Sequence, residues 1–148
     1  MYVEIAIGSP SKRGTLVPLE ELWDMVYENG ASQAIFRSVY MYDEEAADFV
    51  KRSGSIKNYL GTRYIDEIPI DIDKGQNTDE YTLKQAQAVV IYLEDAMELK
   101  DGNFQVYYSG TGYHICLSEM CFGFETSPDL PYIVKETIAG IDIDVVFD

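Results

Sequence analysis

The sequence predicts an α+β fold, and three patterns predict it. Ile68-Pro69-Ile70-Asp71-Ile72-Asp73 alternates apolar and polar residues with the two-residue period of a strand. Ala86, Val89, Val90, Leu93 and Met97 recur with the spacing of one helix face. Phe104 to Tyr108 and Tyr113 to Leu117 are strand-like runs separated by Ser109-Gly110-Thr111-Gly112, which reads as a hairpin. Strands and helices in mixed order with a hairpin belong to the α+β class.

The elements follow in order. Tyr2 to Ile7 is a first strand. Leu19, Leu22, Trp23 and Val26 have helical spacing, after Pro18 and the acidic first-turn pair Glu20-Glu21, and Asn29-Gly30 stops that helix. Ala34 to Met41 is rich in Phe, Ile, Val and Tyr and reads as a strand. Asp43 to about Lys51 is a short helix with Ala46, Ala47, Phe49 and Val50 inward, broken at Ser53-Gly54-Ser55. A strand from Ile65 to Asp73 leads through a turn at Gly75 to Thr78. Asn77 or Thr78 then caps a long helix, about Asp79 to Leu99. Asp101-Gly102-Asn103 turns the chain into the hairpin. Ser127-Pro128 caps a further helix through Ile138, Gly140 ends it, and Ile141-Asp142-Ile143-Asp144-Val145-Val146 alternates as a last strand.

At 148 residues the chain reads as a single domain, 1–148, or part of a slightly larger one. A hydrophobic content of 47%, with 12 Tyr and 6 Phe, supplies a core and argues against disorder. No apolar run reaches the roughly 18–20 residues a membrane span needs, and Met1-Tyr2-Val3-Glu4 lacks the basic-then-apolar start of a signal peptide. Two cysteines, Cys116 and Cys121, make no disulfide framework, so a reduced, cytoplasmic setting is expected. The net charge of −15 opposes a nucleic-acid surface, which is expected to be basic. Lys12-Arg13, Lys51-Arg52 and Arg63 are scattered rather than gathered into a stripe. A solvated acidic surface, a mimic of DNA charge, or basic contacts on sequence beyond Asp148 would each account for that balance.

The chemistry-bearing residues form a constellation. Asp71 and Asp73 share one strand face, about 7 Å apart, and two carboxylates so placed repel unless a cation lies between them. An EF-hand loop is the rival for Asp71-Ile72-Asp73-Lys74-Gly75. It fails, because position six is Gln76 rather than Gly and position twelve is Thr82 rather than Glu. A solvated strand face is the other rival. His114, the only histidine, follows the glycine turn, and its alternative is a structural role. Asp142 and Asp144 share a face in the last alternation, which does not choose between them. His114, Cys116 and Cys121 make a His-x-Cys-x4-Cys pattern that lacks a fourth ligand, so zinc is not expected. Arg37 is a charge in an apolar strand that reaches either a template or triphosphate, or solvent. Glu94-Asp95 through Glu98 reads as a solvated helix face.

These motifs resemble those of the archaeo-eukaryotic primase (primase-polymerase) superfamily, in family order from roughly Ile65 to the C-terminus. Ile68-Pro69-Ile70-Asp71-Ile72-Asp73 is similar to the first catalytic motif, Ser109-Gly110-Thr111-Gly112-Tyr113-His114 to the second, and Ile141-Asp142-Ile143-Asp144-Val145 to the third. The resemblance implies a catalytic core with an RNA-recognition-like sheet, mixed or antiparallel, with flanking helices. It implies a nucleotidyltransferase that makes primers or extends DNA or RNA from (d)NTPs on a single-stranded DNA template, in phage or plasmid replication in the host cytoplasm. Asp71, Asp73 and Asp142, which family spacing favours over Asp144, would hold two Mg²⁺ or Mn²⁺ ions. His114 with Ser109, Gly110 and Gly112 would bind nucleotide, and Arg37 is a further candidate. The family continues past its third motif into a basic segment, so the parent protein is expected to extend beyond Asp148, into a helicase or accessory domain in some relatives. The alternative function is a small acidic, non-enzymatic binding protein: a DNA mimic or a degenerate primase-fold module.

Overall fold

The computed structural model describes residues 1–140, and the expected last strand with Asp142 and Asp144 lies outside them. The fold is α+β, with two antiparallel sheets and four α-helices among the described residues. The described residues divide into two compact units, Met1–Asp66 with Glu125–Val134, and Glu67–Phe124 with 135–140.

The first unit holds a four-stranded sheet of β1 (Tyr2–Ile7), β2 (Thr15–Pro18), β3 (Ile35–Tyr42) and β4 (Tyr64–Ile65), in the order β2-β1-β3-β4. Val3, Ile5, Val17 and Met41 form one apolar cluster, and Tyr42, Ala46, Ile56 and Tyr59 a second. The helix α1 (Leu22–Asn29) follows a 3-10 turn at Leu19–Glu21. Leu22 and Met25 pack on the first cluster, whereas Trp23, expected on the inward face, is 69% exposed. The four-residue strand β2, too short to show an alternation in the sequence, ends on a proline, as only an edge strand tolerates. The helix α2 (Glu44–Ser53) is capped by Asp43, which accepts the Ala46 N–H at 3.2 Å, and ends at Gly54 with φ +77°. Ala46 and Ala47 are buried as the spacing predicted.

Tyr59 is 4% exposed and donates its hydroxyl to Asp43 Oδ1 at 3.3 Å. Burial first, then the charges of Asp43 and Glu45, push its phenol from 10.0 up to about 12. Folding therefore favours the protonated phenol: this stability is complete below about pH 10 and is lost as pH rises through the folded value near 12. The shift is worth on the order of 2–3 kcal/mol. The melting temperature should fall between about pH 10 and 12, and Tyr59→Phe should flatten the fall. An equally steep fall in the variant would remove Tyr59 from its cause. Tyr40 and Tyr42, also raised by burial, act in the same direction.

The second unit holds β5 (Glu67–Asp73), β6 (Phe104–Tyr108) and β7 (Gly112–Ser118), in the order β5-β7-β6. The single strand expected over Ile65 to Asp73 is two strands in two sheets: Tyr64–Ile65 pairs with β3 and Glu67–Asp73 with β7. The physical reason is parity. Ile65 and Ile68 are an odd number of positions apart, so one uninterrupted strand would put them on opposite faces.

Between β5 and β6 runs α3 (Asp79–Asp95), capped by Thr78, whose Oγ1 accepts the Tyr81 N–H at 3.2 Å. It stops four residues before the expected Leu99. Glu98 takes a left-handed φ of +55°, and the Leu99 N–H closes on the Leu93 carbonyl at 2.9 Å. Acidic side chains at the negative end of a helix also oppose its continuation. Thr82, Ala86, Val89 and Leu93 are buried on the helix face, and Ile68, Ile70, Ile72, Ile115 and Leu117 are buried on the strands it packs against. The helix α4 (Leu130–Ala139) begins three residues after Ser127. Ser127 offers it a carbonyl at 3.4 Å from the Leu130 N–H, while its own hydroxyl is buried without a hydrogen bond, so the expected side-chain cap is not made.

Candidate functional site

The alternation of β5 sends Ile68, Ile70 and Ile72 into the core, each no more than 4% exposed, and turns Asp71 and Asp73 outward. The hairpin supplies the opposite strand. Its two-residue bend has Gly110 at φ +97° followed by Thr111, which is not left-handed, the signature of a type II′ turn. The Ser109 N–H donates to the Gly112 carbonyl at 2.9 Å, and the Gly112 N–H to Ser109 Oγ at 3.0 Å.

Register then places Asp71 directly opposite His114, and Asp73 opposite Gly112. His114 Nε2 lies 3.2 Å from Asp71 Oδ1. The contact is an ion pair when the imidazole is protonated. With side chains 50% and 56% exposed, it contributes little to stability. The same exposure screens the repulsion between Asp71 and Asp73 that the sequence pattern suggested, so water as well as a cation can relieve it.

Across β7 the register continues to β6 and sets Tyr107 opposite His114. No motif marks Tyr107, although counting outward from the bend pairs it with His114. Cys116 sits between Pro69 and Gln105 on the next row. Burial, and then Glu67, raise its thiol above the usual range, which disfavours the thiolate. Cys121 Sγ is 3.6 Å from the Asn103 carbonyl.

Two glycines of the turn have different reasons for being glycine. At Gly110 the reason is the left-handed φ, in open space. At Gly112 a Cβ would lie 2.2 Å from the Ile72 carbonyl oxygen, so the backbones of β7 and β5 approach too closely here for any side chain. Ser109 accepts a bond within the turn and has its own O–H to donate elsewhere.

Among the described residues no three His, Cys, Asp or Glu side chains gather as a metal-binding group. Asp71 and Asp73 are nevertheless hard oxygen donors on one exposed face. Mg²⁺ commonly takes only one or two carboxylates from a protein and fills its shell with water and phosphate. The third expected ligand, Asp142, lies outside the described residues.

Arg37 belongs to the first unit, where its Nη2 donates to both carboxylate oxygens of Asp66 at 2.8 and 2.9 Å. A cavity of about 320 Å³ beside it is also bordered by Glu4, Arg13 and Ser38. Glu4 is 4% exposed and accepts from Arg13 Nε, Arg13 Nη2 and the Gly14 N–H, so both arginines at this cavity are already matched to carboxylates.

No helix among the described residues is long and apolar enough to cross a membrane. Comparison with known proteins finds no matching family model, curated protein or solved structure.

Proposed function

We propose that this chain carries the catalytic portion of a nucleotidyltransferase of the archaeo-eukaryotic primase type. One observation supports the reading above the others: the β5–β7 register joins the first and second motifs, with Asp71 facing His114 and Asp73 facing Gly112. Motif order alone does not require that meeting.

In the proposed reaction a 3′-hydroxyl attacks the α-phosphorus of a (d)NTP on a DNA template. The new phosphodiester bond forms as the bond to pyrophosphate breaks, and the hydroxyl proton passes to solvent. Asp71 and Asp73, with Asp142, would hold the Mg²⁺ or Mn²⁺ ions. When bound, these would make the hydroxyl a better nucleophile and neutralise charge on the phosphates. His114 would donate to a phosphate oxygen, with Asp71 holding its ring in place, and the Ser109 hydroxyl would do the same from the bend. The isoleucine-packed backing of β5 keeps this row of side chains in one geometry.

Calorimetric titration of a dNTP in the presence and absence of Mn²⁺ tests the reading. Nucleotide binding that requires the metal is expected. Its absence would leave the acidic binding protein as the better account, for which the net charge of −15 is the support. His114→Ala should weaken nucleotide binding by about tenfold or more, the value of a charge-assisted hydrogen bond, with Mn²⁺ affinity unchanged. Stoichiometric zinc in the purified wild type, lost in this variant, would instead make the hairpin a zinc site.

A further inference from the structure

The other edge of the second unit's sheet carries an unused binding geometry. β6 pairs with β7 on one side, and no strand lies beyond it among the described residues. Its sequence, Phe-Gln-Val-Tyr-Tyr, has no charge and no proline, the devices by which edge strands usually discourage pairing. Beside it runs a groove of about 330 Å³, lined from α3 by Leu83, Gln87, Val90 and Ile91 and from the sheet by Val106 and Tyr113. Leu83, Val106 and Ile91 are 40%, 46% and 57% exposed. An open row of backbone donors and acceptors next to apolar sockets is the arrangement that strand addition uses: the main chain supplies affinity and alternate side chains supply specificity.

Charge selects the occupant. The chain from the last turn of α3 to Phe104 carries Glu94, Asp95, Glu98 and Asp101 against one lysine, Lys100. It is folded tightly onto the start of β6: the Leu99 N–H donates to the Leu93 carbonyl, the Lys100 N–H to Asn103 Oδ1, and Asp101 bridges to Phe104. Among the described residues none of these four carboxylates is in an ion pair, and the carbonyl end of α3 adds to the same negative field. A second copy would bring a further −15 to an already acidic surface. We propose that β6 and the α3 groove bind an extended segment of a partner protein, with alternate apolar residues followed by lysine or arginine. The segment adds as a fourth strand beside β6, with its basic end at Glu94–Asp101.

The probe is a fluorescent peptide of three Thr-Val repeats with three lysines at one end, made with the lysines leading and with them trailing. A control carries glutamate in their place. The full chain is expected to bind one lysine peptide and not the control, and β6 amides should gain protection from hydrogen exchange in that complex. Val106→Lys, which blocks the groove, and Glu94→Lys with Asp95→Lys, which reverses the charge, should each weaken binding by about tenfold. Failure of both lysine peptides to bind at millimolar concentration would overturn the proposal, as would binding that leaves β6 unprotected. β6 amides already protected in a sedimenting dimer would give the edge to a second copy. The same protection in the free monomer would give it to residues 141–148 of this chain. Either result overturns the basic partner.

Discussion

Asp71→Ala combined with Asp73→Ala is expected to abolish Mn²⁺ binding while leaving the melting temperature unchanged or slightly raised. The fold loses little because both side chains point away from the isoleucine face, and the Asp71–His114 contact is half exposed. Removing two like charges from an acidic chain acts in the stabilising direction. The metal loses much because hard divalent ions need carboxylate oxygen, and alanine offers none. Equal Mn²⁺ affinity in variant and wild type by calorimetry would end the metal assignment. A large drop in melting temperature would show that these aspartates serve the sheet rather than a ligand.

Gly112→Ala should destabilise the protein by about 3 kcal/mol or more. The new methyl would lie 2.2 Å from the Ile72 carbonyl oxygen and 3.2 Å from its carbon, and both are backbone atoms of a paired strand with no side-chain rotamer to yield. β7 would have to draw away from β5 at the end where Asp73 meets Gly112. Gly110→Ala is the matched control: its Cβ meets nothing within 4 Å, and the cost is that of the positive φ alone, about 1–3 kcal/mol. Urea denaturation of the two variants gives the comparison. If Gly112→Ala costs no more than Gly110→Ala, the strands are not in the close contact described.

Much of the second unit was legible in advance. The alternation of Ile68 to Asp73 named the buried and exposed faces of β5 correctly, since side-chain direction in a strand follows from position alone. The glycine bend between two β-rich runs identified the hairpin, and the Thr78 cap marked the start of α3. Less of the first unit was legible. Trp23 fitted a helical face in spacing, yet the face that packs is the one with Leu22 and Met25. The Ile65–Asp73 run looked continuous, because a change of parity at Asp66-Glu67 is easily read as one polar interruption.

The sequence by itself determined many of the local features: the types of the longer elements, the outward direction of Asp71 and Asp73, and the place of His114 just after a turn. These depend on periodicity and turn chemistry within a few residues. Tertiary structure alone decided that β5 and β7 pair in the register that brings Asp71 to His114, that Tyr64–Ile65 and Glu67–Asp73 join different sheets, and that Arg37 is held by Asp66. The physical reason is that strand register and ion pairing join residues distant along the chain. A one-residue slip would leave each strand's own pattern intact while moving every partner to the other face.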